Sequence, residues 1–105
     1  MANVHFTIWL ISDDPSWPAQ PQYQARLDGH LIENWMPGAL VPGAPPKSVF
    51  VVRSRPSGQQ TRLRVSATGH AGTTLRVLVV RGDGSVPINQ VFDVPFNPVT
   101  LPFTA

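Results

Sequence analysis

The stretch "SVFVVRSRPSGQQTRLRVSATGHAGTTLRVLVVRGDGSVPINQVFDV", residues 48–94, decides the fold. Apolar and polar residues alternate with a period of two, and clusters of turn-forming residues interrupt them, which is the signature of successive β-strands. In "RPSGQ", Pro56 suits the first corner of a type I turn and Gly58 the left-handed position of a three-residue hairpin loop. Pairing Arg55 with Gln59 then sets Val51 opposite Leu63 and Val49 opposite Val65. "GHAGT" offers the same device with His70, Ala71 and Gly72, pairing Thr68 with Thr74, Val65 with Val77 and Leu63 with Val79. Asp83-Gly84 sets Val79 across from Ile88 and Leu75 across from Phe92. These pairings predict a four-stranded antiparallel meander over 48–94. Its inward face carries Val49, Val51, Leu63, Val65, Ala67, Leu75, Val77, Val79, Ile88 and Phe92, with Gln90 as the misfit.

Outside the meander, "VHFTIWLIS" places Val4, Phe6, Ile8 and Leu10 on one side, and "VTLPFT" supplies a last strand. With a hairpin around Asp28-Gly29, these are expected to form a second sheet. The predicted fold is all-β: an antiparallel two-sheet β-sandwich of about seven or eight strands in one domain, 1–105. Twelve prolines and eight glycines leave no window of helical period. The proline-rich segment "MPGALVPGAPPK", 36–47, is expected to cross from one sheet to the other.

Composition narrows the function. There are no cysteines, which removes disulfides, thiolate metal sites and a cysteine nucleophile. No Lys or Arg precedes the first apolar run, so a signal peptide is not expected; the chain is expected in the cytoplasm or released by a non-classical route. The longest apolar runs, "IWLI", "VFVV" and "VLVV", are four residues each, far below the roughly 18 of a spanning helix, so membrane insertion is not expected. Charged residues are 13% of the chain and the net charge is +2, which leaves little repulsion between copies. Seven of the eight basic residues are arginine, suited both to forked anions and to protein interfaces.

In the stretch "QARLDGHLIENWMPG", 24–38, Asp28-Gly29 is a type I′ hairpin signal that pairs Leu27 with His30, Ala25 with Ile32 and Arg26 with Leu31. With Tyr23, Ala25, Leu27 and Ile32 inward, Trp35 either stands outside among hydrogen-bonding side chains or folds under the proline-rich loop. "DDPSWPAQPQY", 13–23, reads as a loop displaying Trp17 beside two carboxylates and stiffened by three prolines. An aromatic face with Asp and Asn for hydroxyl groups is how sugars are held, and Trp17, Trp35, Asp13, Asp14 and Asn34 could supply one. Phe50, Val52, Leu78 and Val80 are expected outward with Arg62, Arg64 and Arg76, with Phe50 opposite Arg64, as a face that meets a second subunit, is covered by arginine stems or receives an anion.

Conventional chemistry is sparse. His5, His30 and His70 lack metal-type spacing, the carboxylates are scattered although Asp13 and Asp14 could meet Asp28 or Asp93, and no hydrolase or phosphate-loop motif is present. Neither metal nor cofactor is expected. "RGD", 81–83, is what a tight Asp-Gly turn after a strand would contain in any case, and is weak evidence for adhesion. The expected function is a non-catalytic, lectin-like module that binds a glycan and self-associates as a homo-oligomer through an exposed sheet face. The alternative is a structural or assembly protein whose role is subunit contact. An anion or nucleic-acid binder using Arg62, Arg64 and Arg76 ranks third, since +2 is a small charge for extensive backbone binding.

Overall fold

The computed structural model describes residues 2–17, 22–45 and 47–105. Among the described residues nine strands follow one another: β1 (Asn3–Ser12), β2 (Gln22–Leu27), β3 (His30–Leu31), β4 (Met36–Pro37), β5 (Ser48–Pro56), β6 (Gln60–Thr68), β7 (Thr74–Arg81), β8 (Ile88–Asp93) and β9 (Phe96–Thr104). They form two antiparallel sheets, a five-stranded one in the order β4-β5-β1-β7-β8 and a four-stranded one in the order β3-β2-β6-β9. The expected two-sheet sandwich is the architecture found. Its interior is the inward half of each alternating strand: Phe6, Ile8, Leu10, Leu63, Val65, Leu75, Val77 and Val79 are all but sealed from solvent. Phe6 meets Phe103 edge to face across the sheets, with ring centroids 5.2 Å apart.

The meander over 48–94 is not formed. Val51 pairs with Ile8 of β1 rather than with Leu63, and Leu63 pairs with Leu27 and Leu101. Only β7 and β8 are neighbours as expected, with Val79 opposite Ile88 and Leu75 opposite Phe92. The turn at Pro56–Gly58 is present, with Gly58 at φ 82° and Gln59 N–H bonded to Pro56 O, but it carries the chain from one sheet to the other. Ser57 N–H bonds to Ala2 O and Gly58 N–H to Ala105 O, so β1 and β9 each draw one arm away. The segment around Gly72 makes a second such arch between β6 and β7. The inward face nonetheless holds, because a strand across the core demands the same alternation as a strand alongside. The exceptions are at β8: Phe92 is half-buried, stacked 4.9 Å from Phe96, and Gln90 reaches solvent from the edge strand.

Two placements differ further. β1, expected in the second sheet, is the central strand of the five-stranded one. The segment expected to cross, 36–47, begins as β4 on the edge of β5 and makes a short 3₁₀ turn at Gly38–Leu40, so β4 and β5 on either side of it belong to the same sheet, and residues 32–35 make the crossing. Gly38 lies so close to Ser48 that a Cβ there would collide with the Ser48 hydroxyl. Pro46, like Pro18 and Pro21 of the loop over 13–23, lies outside the described residues.

The long edge strand β9 has one paired and one open side. Ala105 N–H bonds to Gln59 O, so by alternation the backbone groups of 104, 102 and 100 point to the open side, up to the bulge between Val99 and Phe96. Residue 102 is a proline, with no N–H to offer, and the carbonyl of Thr104 is taken by Arg81, whose Nε lies 3.0 Å away, while Thr100 and Thr104 keep their N–H groups. No helix among the described residues is long and apolar enough to cross a membrane.

Candidate functional site

The Asp28-Gly29 hairpin forms as its sequence dictates, with both residues at positive φ, Arg26 opposite Leu31 and Leu27 opposite His30. It turns Tyr23, Ala25, Leu27 and Ile32 toward the core. Trp17 is not displayed: it is 7% exposed, packed into the core with its ring 5.1 Å from Tyr23. Tyr23 in turn meets Trp35 edge to face at 5.6 Å, so Trp35 is a half-buried satellite of the core. A bulky aromatic next to a sheet end gains more from contact with Tyr23 than from water, which outweighs the polar residues around it. Burial raises the pKa of the Tyr23 hydroxyl.

Asp14 is also interior, at 0% exposure. Its Oδ1 accepts the backbone N–H of Ser16 at 2.9 Å and the Ser16 hydroxyl at 3.0 Å, and its Oδ2 lies 3.0 Å from Nδ1 of the exposed His70. The Ser16 backbone bond is the main cause holding its pKa below the carboxylate norm, against the opposing effect of burial, with the Ser16 hydroxyl and His70 assisting. Serine, aspartate and histidine, which nothing in the sequence tied together, thus meet at one carboxylate. Serine and imidazole both bond to that carboxylate, whereas a nucleophilic triad needs the hydroxyl on the imidazole. Asp13 Oδ1 accepts Thr74 N–H at 2.7 Å, and Asp93 pairs with Thr74 on the next strand, but Asp28 is committed elsewhere, to the backbone N–H of Arg62. Of the five residues expected to hold a sugar, Trp17 and Asp14 are enclosed; Asp13 and Asn34 are exposed and Trp35 half so.

The outward half of the alternation makes two faces. Across the five-stranded sheet runs the row Met36–Phe50–Trp9–Leu78–Asn89, flanked by Val52–Thr7–Val80 on one side and Ser48–Ile11–Arg76–Val91 on the other. Met36, Val52 and Val91 are 47%, 53% and 51% exposed. Phe50 belongs to this face but is shielded by Trp9, whose ring lies 4.8 Å away. Arg76 extends to Asn89, with Nη1 2.8 Å from its Oδ1.

The four-stranded sheet carries the other face, with the row Leu31–Arg26–Arg64–Thr100 and, beside it, Arg62 and Pro102. The seven residues expected on one wall are therefore divided: Phe50, Val52, Leu78, Val80 and Arg76 stand on the five-stranded sheet, Arg62 and Arg64 on the four-stranded one. Phe50 never faces Arg64, because β5 and β6 lie in different sheets. Sequence reasoning missed Trp9, Ile11 and Met36 on the apolar side and Arg26 on the cationic side. For Trp9 and Ile11 the signal was present, since a β1 with Phe6, Ile8 and Leu10 inward must turn them outward.

At the "RGD" turn, Arg81 is held by Thr104 O and Ser85, and Asp83 Oδ1 accepts from both the Ser85 hydroxyl and its N–H. The Ser85 hydroxyl is the main cause of the lowered Asp83 pKa. Asp83 is thus bonded within the turn, and Arg81 ties the turn to β9. No family model, no curated protein and no solved structure matches this chain.

Proposed function

We propose that the protein is a non-catalytic subunit-contact module that pairs with a second copy of itself through the outer face of its five-stranded sheet. The observation that carries this is the apolar wall centred on Trp9, in which Met36, Val52 and Val91 are about half exposed and the charged side chains that its strands turn outward, among the described residues, are Arg76 and, at the end of β8, Asp93. Monomers rarely leave so continuous an apolar face in water. The size fits. The sheet's five strands, about 4.8 Å apart and between two and ten residues long at about 3.4 Å each, give a footprint on the order of 600 Å². Standard interfaces bury about 800 Å² per partner. A second copy also suits the charge, because an almost uncharged wall meets its own image without repulsion.

Analytical ultracentrifugation at micromolar concentration tests the proposal. A dimer that Val52→Glu converts to monomer is the expected result, whereas a monomer in both proteins defeats it. A second reading, glycan binding, rests on exposed Asn34 beside half-exposed Trp35. It requires sugar-dependent quenching of tryptophan fluorescence that Trp35→Ala removes.

A further inference from the structure

We infer that the outer face of the four-stranded sheet binds a tetrahedral oxyanion, the phosphate or sulfate ester group of a ligand, through Arg26, Arg62 and Arg64. The site lies on the side of the sandwich opposite the proposed pairing face and does not depend on it.

Arg26 stands directly opposite Arg64 in the β2–β6 ladder, and Arg62 projects from the same face two residues away. Like charges directly opposite one another destabilise a sheet, so this arrangement opposes folding unless something neutralises it. The neighbouring carboxylate does not. Asp28 Oδ2 accepts from Arg55 Nε at 3.2 Å, and its Oδ1 accepts the backbone N–H of Arg62 at 2.9 Å. Among the described residues no carboxylate lies within ion-pair distance of the three guanidinium groups, and Arg26 makes only a long 3.4 Å bond to Gly29 O.

The three arginines, with Asp28, Gly29, Gln60 and Thr100, line a depression of about 550 Å³. Gln24 and Ser66 continue it as a polar trough past Arg26 and Arg64. Guanidinium forks donate parallel N–H pairs that match phosphate and sulfate oxygens. Three forks on one spot exceed what the two oxygens of a carboxylate can occupy. The lining holds no aromatic ring on which a nucleobase could stack, so the anionic group itself is what the site can recognise.

Nitrogen-15 correlation spectra of the full chain, titrated at low salt with phenyl phosphate and phenyl sulfate, test the inference, with sodium acetate at equal ionic strength as control. Shifts concentrated at the amides of Arg26, Arg62, Arg64 and Thr100 are expected, saturating with at least one ester. In the double variant Arg26→Gln, Arg64→Gln the affinity should fall about tenfold or more while the remaining spectrum stays dispersed. Saturation by only one ester assigns the site to that ester. Shifts no larger than with acetate, or an affinity unchanged in the double variant, overturn the inference.

Discussion

Trp9 and Arg64 mark the middles of opposite walls of one sandwich, each on a strand whose alternate residues fill the core. The backbone treats the two positions alike; only the side chains differ. On the Trp9 wall, apolar groups from five strands adjoin, and water can be removed from them only by another surface. On the Arg64 wall the exposed groups are well hydrated, and the unresolved energetic term is charge against charge. Alternation therefore decides which residues leave the core, while composition decides whether the wall that results seeks an apolar partner or a counter-ion.

The most severe way to break this comparison is to attack what the walls share. Leu63, fully buried on β6, packs under both, and Leu63→Ala should cost about 3 kcal/mol. Urea unfolding followed by tryptophan fluorescence and by β6 amide exchange should give one coincident transition; separate transitions would mean the walls do not share a core. Next in size is Gly38→Ala, which forces a methyl group onto the Ser48 hydroxyl beside β4 and should cost about 1–3 kcal/mol. Its spectral changes should stay on the five-stranded wall, and Ser48→Gly in the same chain should recover most of the melting temperature.

Acid acts more weakly, and at the sheet ends instead of on either wall. Asp14 and Asp83 have folded pKa values below the ordinary 3.8, so the unfolded chain takes up their protons first as pH falls. Their contribution is complete above that range and is lost as pH drops through the lowered values. Melting temperature should thus decline below about pH 4, a decline that Asp83→Asn should make shallower; an unchanged pH profile in that variant would remove Asp83 from the account. The smallest effect on folding is expected from Val52→Glu, within about 0.5 kcal/mol, because its side chain is already half in water. Its consequence belongs to assembly, and a loss of fold there would mean that the wall is structural rather than adhesive.

The hairpins at Asp28-Gly29 and Asp83-Gly84 were legible because a type I′ turn and an Asp-Gly tip dictate which residues meet across them. The bends at Pro56–Gly58 and His70–Gly72 were not. A glycine at positive φ reverses the chain whether the next strand lies alongside or across the core, and Val51 and Leu63 point inward in both cases. What selects the arch is competition from β1, β2 and β9, whose pairing with β5 and β6 no local pattern announces. The same long-range choice divided the expected arginine wall, sending Arg76 away from Arg62 and Arg64 and bringing Arg26 in. Trp17 was misplaced for a different reason. Its polar neighbours suggested display, but the loop turns Asp14 and Trp17 inward together, the carboxylate bonded by Ser16 and His70 and the indole ring packed on Tyr23.

A nine-residue strand with one side unpaired would ordinarily recruit its own kind into ribbons, and a chain with so few ions has little repulsion to prevent it. Pro102, which has no N–H, and the guanidinium lying over the Thr104 carbonyl take one donor and one acceptor away from that border. A newcomer strand meets an interrupted border there, which favours flat-on docking into a closed couple over a filament growing along β9.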